Sequence, residues 1–200
     1  MLEIVVATKN PDKVREIRKL LAALPLRLSA YGGRSPAETG KTLAANAAIK
    51  AKAAARAAKK WAIADDTGLE VPSLKGRPGV RSARFAGPRA TYSDNVKKLL
   101  RLMRGVPSGK RKAAFRTVVC VASPDGKIYF AEGRCAGKIS LSVDGKNGFG
   151  YDPVFYHPPS KKTFARMTLA AKNKVSHRAR AFRKASRIIK RISPCACVGK

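Results

Sequence analysis

The stretch Trp61-Ala62-Ile63-Ala64-Asp65-Asp66-Thr67-Gly68 places two adjacent carboxylates directly after a short apolar run. An apolar run that ends in turn-forming residues predicts a buried strand, and ligands bind at strand ends in α/β proteins. Because side chains alternate along a strand, we expect Asp65 and Asp66 to point to opposite sides. One could hold Mg²⁺ or activate a water while the other braces the backbone. The alternative is a solvated turn, since Asp, Thr and Gly all favour turns.

The length and composition predict a globular protein. The 200 residues, 44% of them hydrophobic, suit one domain with a sizeable core. We expect that domain to cover residues 1–192 and a short tail to cover residues 193–200. No apolar run is long enough to span a bilayer and the N-terminus lacks a signal-peptide pattern, which predicts a soluble, cytoplasmic protein.

The charge balance is strongly basic, with 43 Lys and Arg against 12 Asp and Glu and a net charge of +31. Such a surface attracts polyanions, so non-specific contact with nucleic acid is possible. The basic residues are spread over the whole chain, which argues against a dedicated reader of one groove. The four cysteines, at 120, 135, 195 and 197, are interpreted as reduced thiols, because no His stands beside Cys195 and Cys197 to complete a zinc site.

The N-terminal segment predicts a strand, a loop and a helix. Residues 2–7 are apolar and β-branched, and apolar residues recur at helical spacing from Val14. Between them, Asn10 can cap the helix and Pro11 suits its first turn. Lys9 and Lys13 flank this helix N-terminus, where unpaired N–H groups can bind phosphate. The Walker A pattern is absent.

The middle of the chain predicts further strands and helices. The Ala-rich residues 42–60 predict a helix with Asn46 and Lys50 on one face, as a functional or a merely solvated pair. A second helix over 93–104 would be capped by Ser93. The predicted strands are residues 26–31, 69–71, 113–122, 127–131 and 133–142, and residues 74–90 form a long cationic loop.

Two later segments carry candidate binding residues. In the glycine-rich stretch 145–152, Phe149 or Tyr151 could stack on a ring, although a β-turn with core aromatics is an equal alternative. Ser176 is a candidate cap of the last helix. It would place His177 and Arg178 at the helix N-terminus with Lys172 just before it, although a His at such a place is more often structural.

Together these motifs resemble the inosine triphosphate pyrophosphatase family, the Ham1-like enzymes. The matching segments, in the family's order over nearly the whole chain, are residues 7–13, 64–69, 78–85, 148–153 and Lys172 with 176–178. The resemblance implies an α/β fold with a long, curved, mixed sheet flanked by helices, and two lobes around a central nucleotide cleft. It also implies a homodimer that uses Mg²⁺ to hydrolyse ITP, dITP and XTP to monophosphate and pyrophosphate, cleansing the nucleotide pool.

The resemblance implies roles for individual residues. Asp66 would bind metal and act as the base, and Glu38 would be the second metal carboxylate. Thr67 would contact the substrate. The residues expected at the triphosphate are Thr8, Lys9, Asn10, Pro11, Asp12 and Lys13. The residues expected around the purine base and the sugar are Phe149, Gly150, Tyr151, Asp152, Lys172, His177 and Arg178. Donors such as His177 or Arg178 would favour the 6-oxo group of hypoxanthine and xanthine over the amine of adenine.

The chain departs from the family where acids are usual. Ala45, Ala170 and Ala171 stand at positions where many relatives carry acidic residues, and Arg166 at another. Activity or metal affinity would fall if the site relied on an acid at Ala45. Two alternatives therefore remain: a catalytically weakened protein of the same fold that binds nucleotides or nucleic acid, and a basic nucleic-acid-binding protein with an unrelated role.

Overall fold

The computed structural model describes residues 1–193, so Cys195 and Cys197 lie outside the described residues. The mixed α/β fold is confirmed. Its elements are β1 (Leu2–Val6), α1 (Pro11–Leu21), β2 (Leu26–Ala30), α2 (Leu43–Ala58), β3 (Trp61–Glu70), β4 (Pro78–Gly79), α3 (Tyr92–Leu102), β5 (Lys112–Ala122), β6 (Ile128–Ile139), β7 (Phe155–His157), β8 (Lys162–Thr163), α4 (Leu169–Val175) and α5 (His177–Ile192). Within residues 1–193, no helix combines the length and the apolar character that crossing a membrane requires.

The strands form one mixed sheet in the order β2-β1-β3-β5-β6-β7-β8, with β4 paired to β3. β1 is parallel to both β2 and β3, whereas β3–β4, β6–β7 and β7–β8 are antiparallel pairs. By its contacts the chain divides into two compact units. The first comprises Met1–Asp66, Thr117–Gly133 and the described residues from Arg178 onward, and the second comprises Thr67–Arg116 and Arg134–His177.

The first unit has a hydrophobic cluster on each face of its strands. On one face, Ile63 of β3 packs in a cluster with Ile17 of α1 and Phe182 of α5. On the other face, the neighbouring β3 residues Ala62 and Ala64 pack with the buried alanines of α2. The strand alternation expected from the sequence therefore assigns odd-numbered β3 residues to the α1–α5 layer and even-numbered ones to the α2 layer.

The second unit has its own core. Its buried cluster includes Leu99 of α3 and Met103, the residue that follows α3. Four members of the cluster are aromatic: Phe115, Tyr151, Phe155 and Phe164. Phe155 lies near both Phe115 and Phe164, with ring centroids 4.6 and 4.8 Å apart. Tilted ring pairs of this kind add about 0.5–1.5 kcal/mol each to the stabilisation that comes from the area the rings bury.

Several details differ from the sequence prediction, and the predicted loop over residues 74–90 contains the short strand β4. β3 does not end at the Thr67-Gly68 pair but continues to Glu70, because Leu69 pairs with Gly79 of β4. One strand, β6 (Ile128–Ile139), stands in place of the two strands predicted over residues 127–131 and 133–142. Thr91, not Ser93, caps α3 through a capping box with Asp94. Lys172 lies inside a separate helix, α4, which ends before Ser176.

Candidate active site

Asp65 lies at the centre of a buried ionic network in the first unit. Its Oδ2 is 3.1 Å from Lys13 Nζ and 3.1 Å from Arg178 Nη2. Arg178 also binds Glu16 of α1, at 2.6 Å. Burial alone would raise the pKa of Asp65, but Lys13 and Arg178 outweigh it and hold that pKa below its usual range. Asp65 is therefore an ionised structural carboxylate that ties β3 to α1 and α5.

Asp66 faces the opposite layer and has a different environment. Asn46 of α2 donates from Nδ2 to Asp66 Oδ2 over 3.2 Å, and Lys50 Nζ lies 3.4 Å from Oδ1. Burial raises the pKa of Asp66 above its ordinary value, and Lys50 and Lys13 only partly oppose this. A carboxylate whose pKa is raised by burial is a better proton acceptor near neutral pH than a solvated Asp.

Lys50 joins the two acids that the sequence analysis assigned to a metal. Its Nζ is 2.7 Å from Glu38 Oε1, 2.9 Å from the Asp65 carbonyl oxygen and 3.4 Å from Asp66 Oδ1. Burial would lower the pKa of Lys50, but Asp66 and Glu38 together raise it above its usual value. Glu38 in turn helps to raise the pKa of Asp66, so the two carboxylates share one electrostatic environment.

These carboxylates fit a Mg²⁺ ion. Among residues 1–193, no three His, Cys, Asp or Glu side chains are grouped as a complete metal site. Mg²⁺ rarely needs one, because it usually takes one or two carboxylates and fills its other positions with water and substrate phosphate. Glu38 and Asp66 lie close enough to bind the same Lys50 ammonium group, so their carboxylates could supply such a pair of oxygen ligands, and their role as metal ligands stays a prediction.

The expected phosphate-binding segment, residues 8–13, surrounds the N-terminus of α1. Asn10 caps the helix as predicted, and its Oδ1 accepts hydrogen bonds from the Asp12 and Lys13 amides at 2.9 and 3.2 Å. Pro11 occupies the first helical position, and Asp12 pairs with Arg15 over 2.8 Å. Thr8 Oγ1 accepts from the Asn10 amide, and Lys9 is exposed. Lys13 is turned toward Asp65, so Lys9 is the solvent-facing cation of this segment.

In the second unit, a buried ion pair supports the glycine-rich turn. Lys172 Nζ of α4 lies 2.6 Å from Asp152 Oδ2, and both side chains are almost completely buried. The same Asp152 oxygen accepts a hydrogen bond from the Phe149 amide at 2.9 Å. Lys172 Nζ also lies 4.9 Å from the centre of the Phe149 ring, a cation–π contact. The turn and the lysine therefore fix the position of Phe149.

The two aromatics of this turn have separate environments. Tyr151 is 4% exposed, and its hydroxyl donates to the Ser82 carbonyl oxygen over 2.9 Å. It is a core residue of the second unit. Phe149 is only partly buried and lies 5.9 Å from the Tyr92 ring. Of the two rings, Phe149 has the exposed area that stacking on a ligand requires, and Gly150 lies between them at a φ of 63°.

His177 and Arg178 are both buried. The His177 ring stacks on Phe115, with centroids 4.4 Å apart and 21° between the planes. Arg178 binds Asp65 and Glu16, as described above, so its guanidinium already serves two carboxylates. Thr67 follows Asp66 in β3 and is half-buried. The assigned roles of these residues in substrate contact stay predictions.

Three residues outside the predicted site belong to these clusters. Asn46 and Lys50 contact Asp66 directly, and Glu16 completes the network of Asp65. The i, i+4 spacing of Asn46 and Lys50 on an Ala-rich helix was the available signal, because polar residues are unusual on the buried face of such a helix. Glu16 gave no comparable signal, since it resembles any acid on an amphipathic helix.

Known proteins of one family match this chain over nearly its whole length. A sequence model described as the Ham1 family matches residues 4–188. A dITP/XTP pyrophosphatase of Desulforamulus reducens is 45% identical over 96% of this chain and 97% of its own length. Another, from Elusimicrobium minutum, is 46% identical over 94% of this chain and 100% of its own length. The solved structure of a HAM1 protein from Coxiella burnetii superposes with a TM-score of 0.87 at 35% identity, covering 96% of this chain and 100% of the other.

Proposed function

Because the chain belongs to the Ham1 family, we propose that it hydrolyses non-standard purine nucleoside triphosphates, namely ITP, dITP and XTP, to the monophosphate and pyrophosphate. The observation that carries the proposal is the environment of Asp66. It is a buried carboxylate with a raised pKa, held by Asn46 and Lys50. The chain that carries it is 45% and 46% identical to two dITP/XTP pyrophosphatases.

In the proposed reaction a water attacks the α-phosphorus, and the bond from that phosphorus to the bridging oxygen of the β-phosphate breaks. Asp66 takes the proton of the attacking water, and pyrophosphate leaves. Lys50 would keep Asp66 ionised and oriented before the attack, since its ammonium lies beside both Asp66 and Glu38. The Asn46 side-chain amide donates to Oδ2 of Asp66 and so holds the other oxygen of this carboxylate.

Magnesium is part of the proposal, with Glu38 and Asp66 as its protein ligands. When bound, Mg²⁺ would neutralise the negative charge that the triphosphate brings and that grows on the leaving group. Lys9 and the N-terminal turn of α1 would bind phosphate oxygens, because a helix N-terminus favours anions. That turn is shaped by Thr8, Asn10, Pro11, Asp12 and Lys13. Thr67 would contact the substrate beside Asp66, the general base.

Base recognition is assigned to the Phe149–Asp152 turn, Lys172, His177 and Arg178. Phe149 offers a ring for stacking, and the Lys172–Asp152 pair holds it in place. A 6-oxo purine accepts a hydrogen bond where adenine donates one, so donors at that position would reject ATP. We further propose the homodimeric state that the resemblance implies and the cytoplasmic location expected from the sequence pattern, and both can be measured.

The test is pyrophosphate release from ITP, XTP, GTP and ATP, with Mg²⁺ or with EDTA. We expect Mg²⁺-dependent release from ITP and XTP and little from GTP or ATP. The Asp66→Asn variant should lose about 10²–10⁴-fold in kcat, the usual contribution of a general base. Asp125→Asn is the matched control, because Asp125 is exposed in the turn between β5 and β6.

Two outcomes would change the assignment. Tight binding of ITP by the folded protein without pyrophosphate release would favour the catalytically weakened nucleotide-binding protein. Full activity in the Asp66→Asn variant would remove Asp66 as the base. Sedimentation of the protein with and without ITP measures the oligomeric state in the same samples.

A further inference from the structure

The outer face of α5 consists of cations. The helix contains no acidic residue. All of its exposed residues are basic, namely Arg180, Arg183, Lys184, Arg187, Lys190 and Arg191. From Arg180 to Arg191 this row is about 16 Å long at 1.5 Å per residue. The exposed residues of α3 include Tyr92, Ser93 and Asp94, so the outer face of α5 carries more positive charge than that of another helix of the same chain.

The neighbouring helix α1 adds further exposed cations. α1 and α5 share one hydrophobic cluster, and Glu16 of α1 binds Arg178 of α5 at 2.6 Å. The exposed basic residues of α1 are Arg15, Arg18 and Lys19, and Asp12 is the acid beside them. We name these nine cations of the first unit the α1–α5 basic face.

The chemistry of this face favours the backbone of a duplex nucleic acid. An interfacial membrane helix needs an apolar face to insert, but the apolar residues Phe182, Ala185 and Ile189 of α5 are buried in the core. Single-strand binding uses aromatic rings on which bases stack, and neither helix exposes one. Arginine and lysine in a row match the regular phosphates of a duplex.

We propose that the α1–α5 basic face binds double-stranded DNA through its phosphates, without reading the base sequence. Double-stranded DNA carries one phosphate charge per about 1.7 Å of its helix axis, so a row of about 16 Å on α5 would face a nearly continuous line of anions. The proposal is independent of the proposed pyrophosphatase activity, because none of the nine cations is assigned to catalysis or to the substrate.

The experiment compares two variants that each remove four positive charges. The first, Lys184→Gln, Arg187→Gln, Lys190→Gln and Arg191→Gln, neutralises the end of α5. The control, Lys97→Gln, Arg101→Gln, Arg104→Gln and Lys110→Gln, neutralises exposed cations of the second unit. Binding of a 20-base-pair DNA duplex is followed by fluorescence anisotropy between 50 and 200 mM KCl. The same-length RNA duplex, the single-stranded DNA and phosphatidylserine vesicles are run in parallel.

For the wild-type protein we expect DNA duplex to bind most tightly of the four. In the α5 variant, affinity at 100 mM KCl should fall by about tenfold or more, and the slope of log K against log salt should decrease by about 3 to 4. The control should stay within about twofold. Equal losses in both variants would overturn the proposal in favour of diffuse net charge, as would tighter binding of RNA, single strand or vesicles. Pyrophosphate release by both variants reports on the other proposal separately.

Discussion

The carboxylates of Asp65 and Asp66, on adjacent residues of β3, lie on opposite faces of the strand and bind different cations. Asp65 contacts Lys13 and Arg178, and Asp66 contacts Lys50. The pKa of Asp65 is held low by its cations, whereas burial raises the pKa of Asp66. One residue is therefore a structural anion and the other a candidate base, and substitutions should separate the two roles.

The first prediction concerns stability. Asp65→Asn should lower the free energy of unfolding by about 3–5 kcal/mol, because it leaves Lys13 and Arg178 buried beside an uncharged partner. Asp66→Asn should change it by no more than about 1 kcal/mol, since burial already disfavours that charge. Urea unfolding at pH 7 measures both. A larger loss in Asp66→Asn than in Asp65→Asn would contradict the assignment.

The same pair predicts a pH dependence of stability. The folded-state pKa of Asp65 is depressed, so its contribution is fully present above the unfolded-state value of about 3.9 and is lost as pH falls through the folded-state value. Wild type should therefore lose stability below about pH 4 more steeply than Asp65→Asn. Thermal unfolding from pH 3 to 7 provides the comparison, and parallel curves would rule the interpretation out.

The second prediction concerns Lys50 and the pH profile of activity. Lys50 is the main cation opposing the raised pKa of Asp66, so Lys50→Met should raise that pKa further. The acidic limb of kcat/KM should move to higher pH, because the base must be ionised to act. Lys52→Met, two residues along α2, is the control and should leave the limb in place. An unchanged limb in Lys50→Met would argue against Asp66 as the titrating base.

The third prediction concerns Asn46. Its side chain is fully buried and joins the Gly40 amide, at 2.8 Å, to Asp66 Oδ2, at 3.2 Å. Asn46→Ala should destabilise the protein by about 1–3 kcal/mol through loss of these hydrogen bonds. It should also raise the Mg²⁺ concentration for half-maximal activity, because Glu38 and Gly40 belong to the same segment. An unaltered Mg²⁺ requirement would separate Asn46 from the metal site.

The fourth prediction uses two glycines of one turn. Gly148 and Gly150 both have positive φ, 75° and 63°, so alanine costs about 1–2 kcal/mol at either. A Cβ at Gly148 would also collide with the Asp152 carboxylate, whereas a Cβ at Gly150 would have no neighbouring atom within 4 Å. Gly148→Ala should therefore disturb the Asp152–Lys172 pair and raise KM for ITP more than Gly150→Ala. Equal KM values in the two variants would exclude a role for the pair in substrate binding.

The fifth prediction concerns Ala45, the position at which the family resemblance leads us to expect an acid. Thr42 caps α2 and accepts from the Ala45 amide at 3.1 Å, so residue 45 is the third position of a potential capping box. Ala45→Glu should stabilise the protein by about 0.3–1 kcal/mol through the helix N-terminus. The Mg²⁺ requirement should stay unchanged. A strongly lowered requirement would instead identify residue 45 as a lost metal ligand.

The sequence predicted the elements better than their ends. The alternation of Asp65 and Asp66 followed from the strand period alone, and the cap at Asn10 from local chemistry. The continuation of β3 past Gly68 could not be predicted, because it depends on pairing with Pro78-Gly79, a contact distant along the chain. Thr91 and Ser93 are both good caps, and only the backbone geometry distinguishes them.

The candidate site was predicted in part, for the same reason. A carboxylate pair and a phosphate-binding helix start are local patterns, whereas the partners of buried charges are set by packing. Arg178 stands at a helix start in the sequence, yet its bonds go to Asp65 and Glu16, 113 and 162 residues away. Lys50 could be a functional or a solvated residue on the sequence alone, because its contact with the Asp65 carbonyl oxygen depends on the packing of α2 against β3.

The strict alternation of β3 also limits how this chain can change in length. An insertion or deletion of one residue between Trp61 and Asp65 would move each following side chain to the other face. Asp65 would then meet Lys50 and Asn46, while Asp66 would meet Lys13 and Arg178, so the two acids would exchange their surroundings. Point substitutions in this segment alter one contact at a time, but a single-codon indel would scramble both networks at once. The number of residues in this segment is thus as strict a requirement as the identity of any one of them.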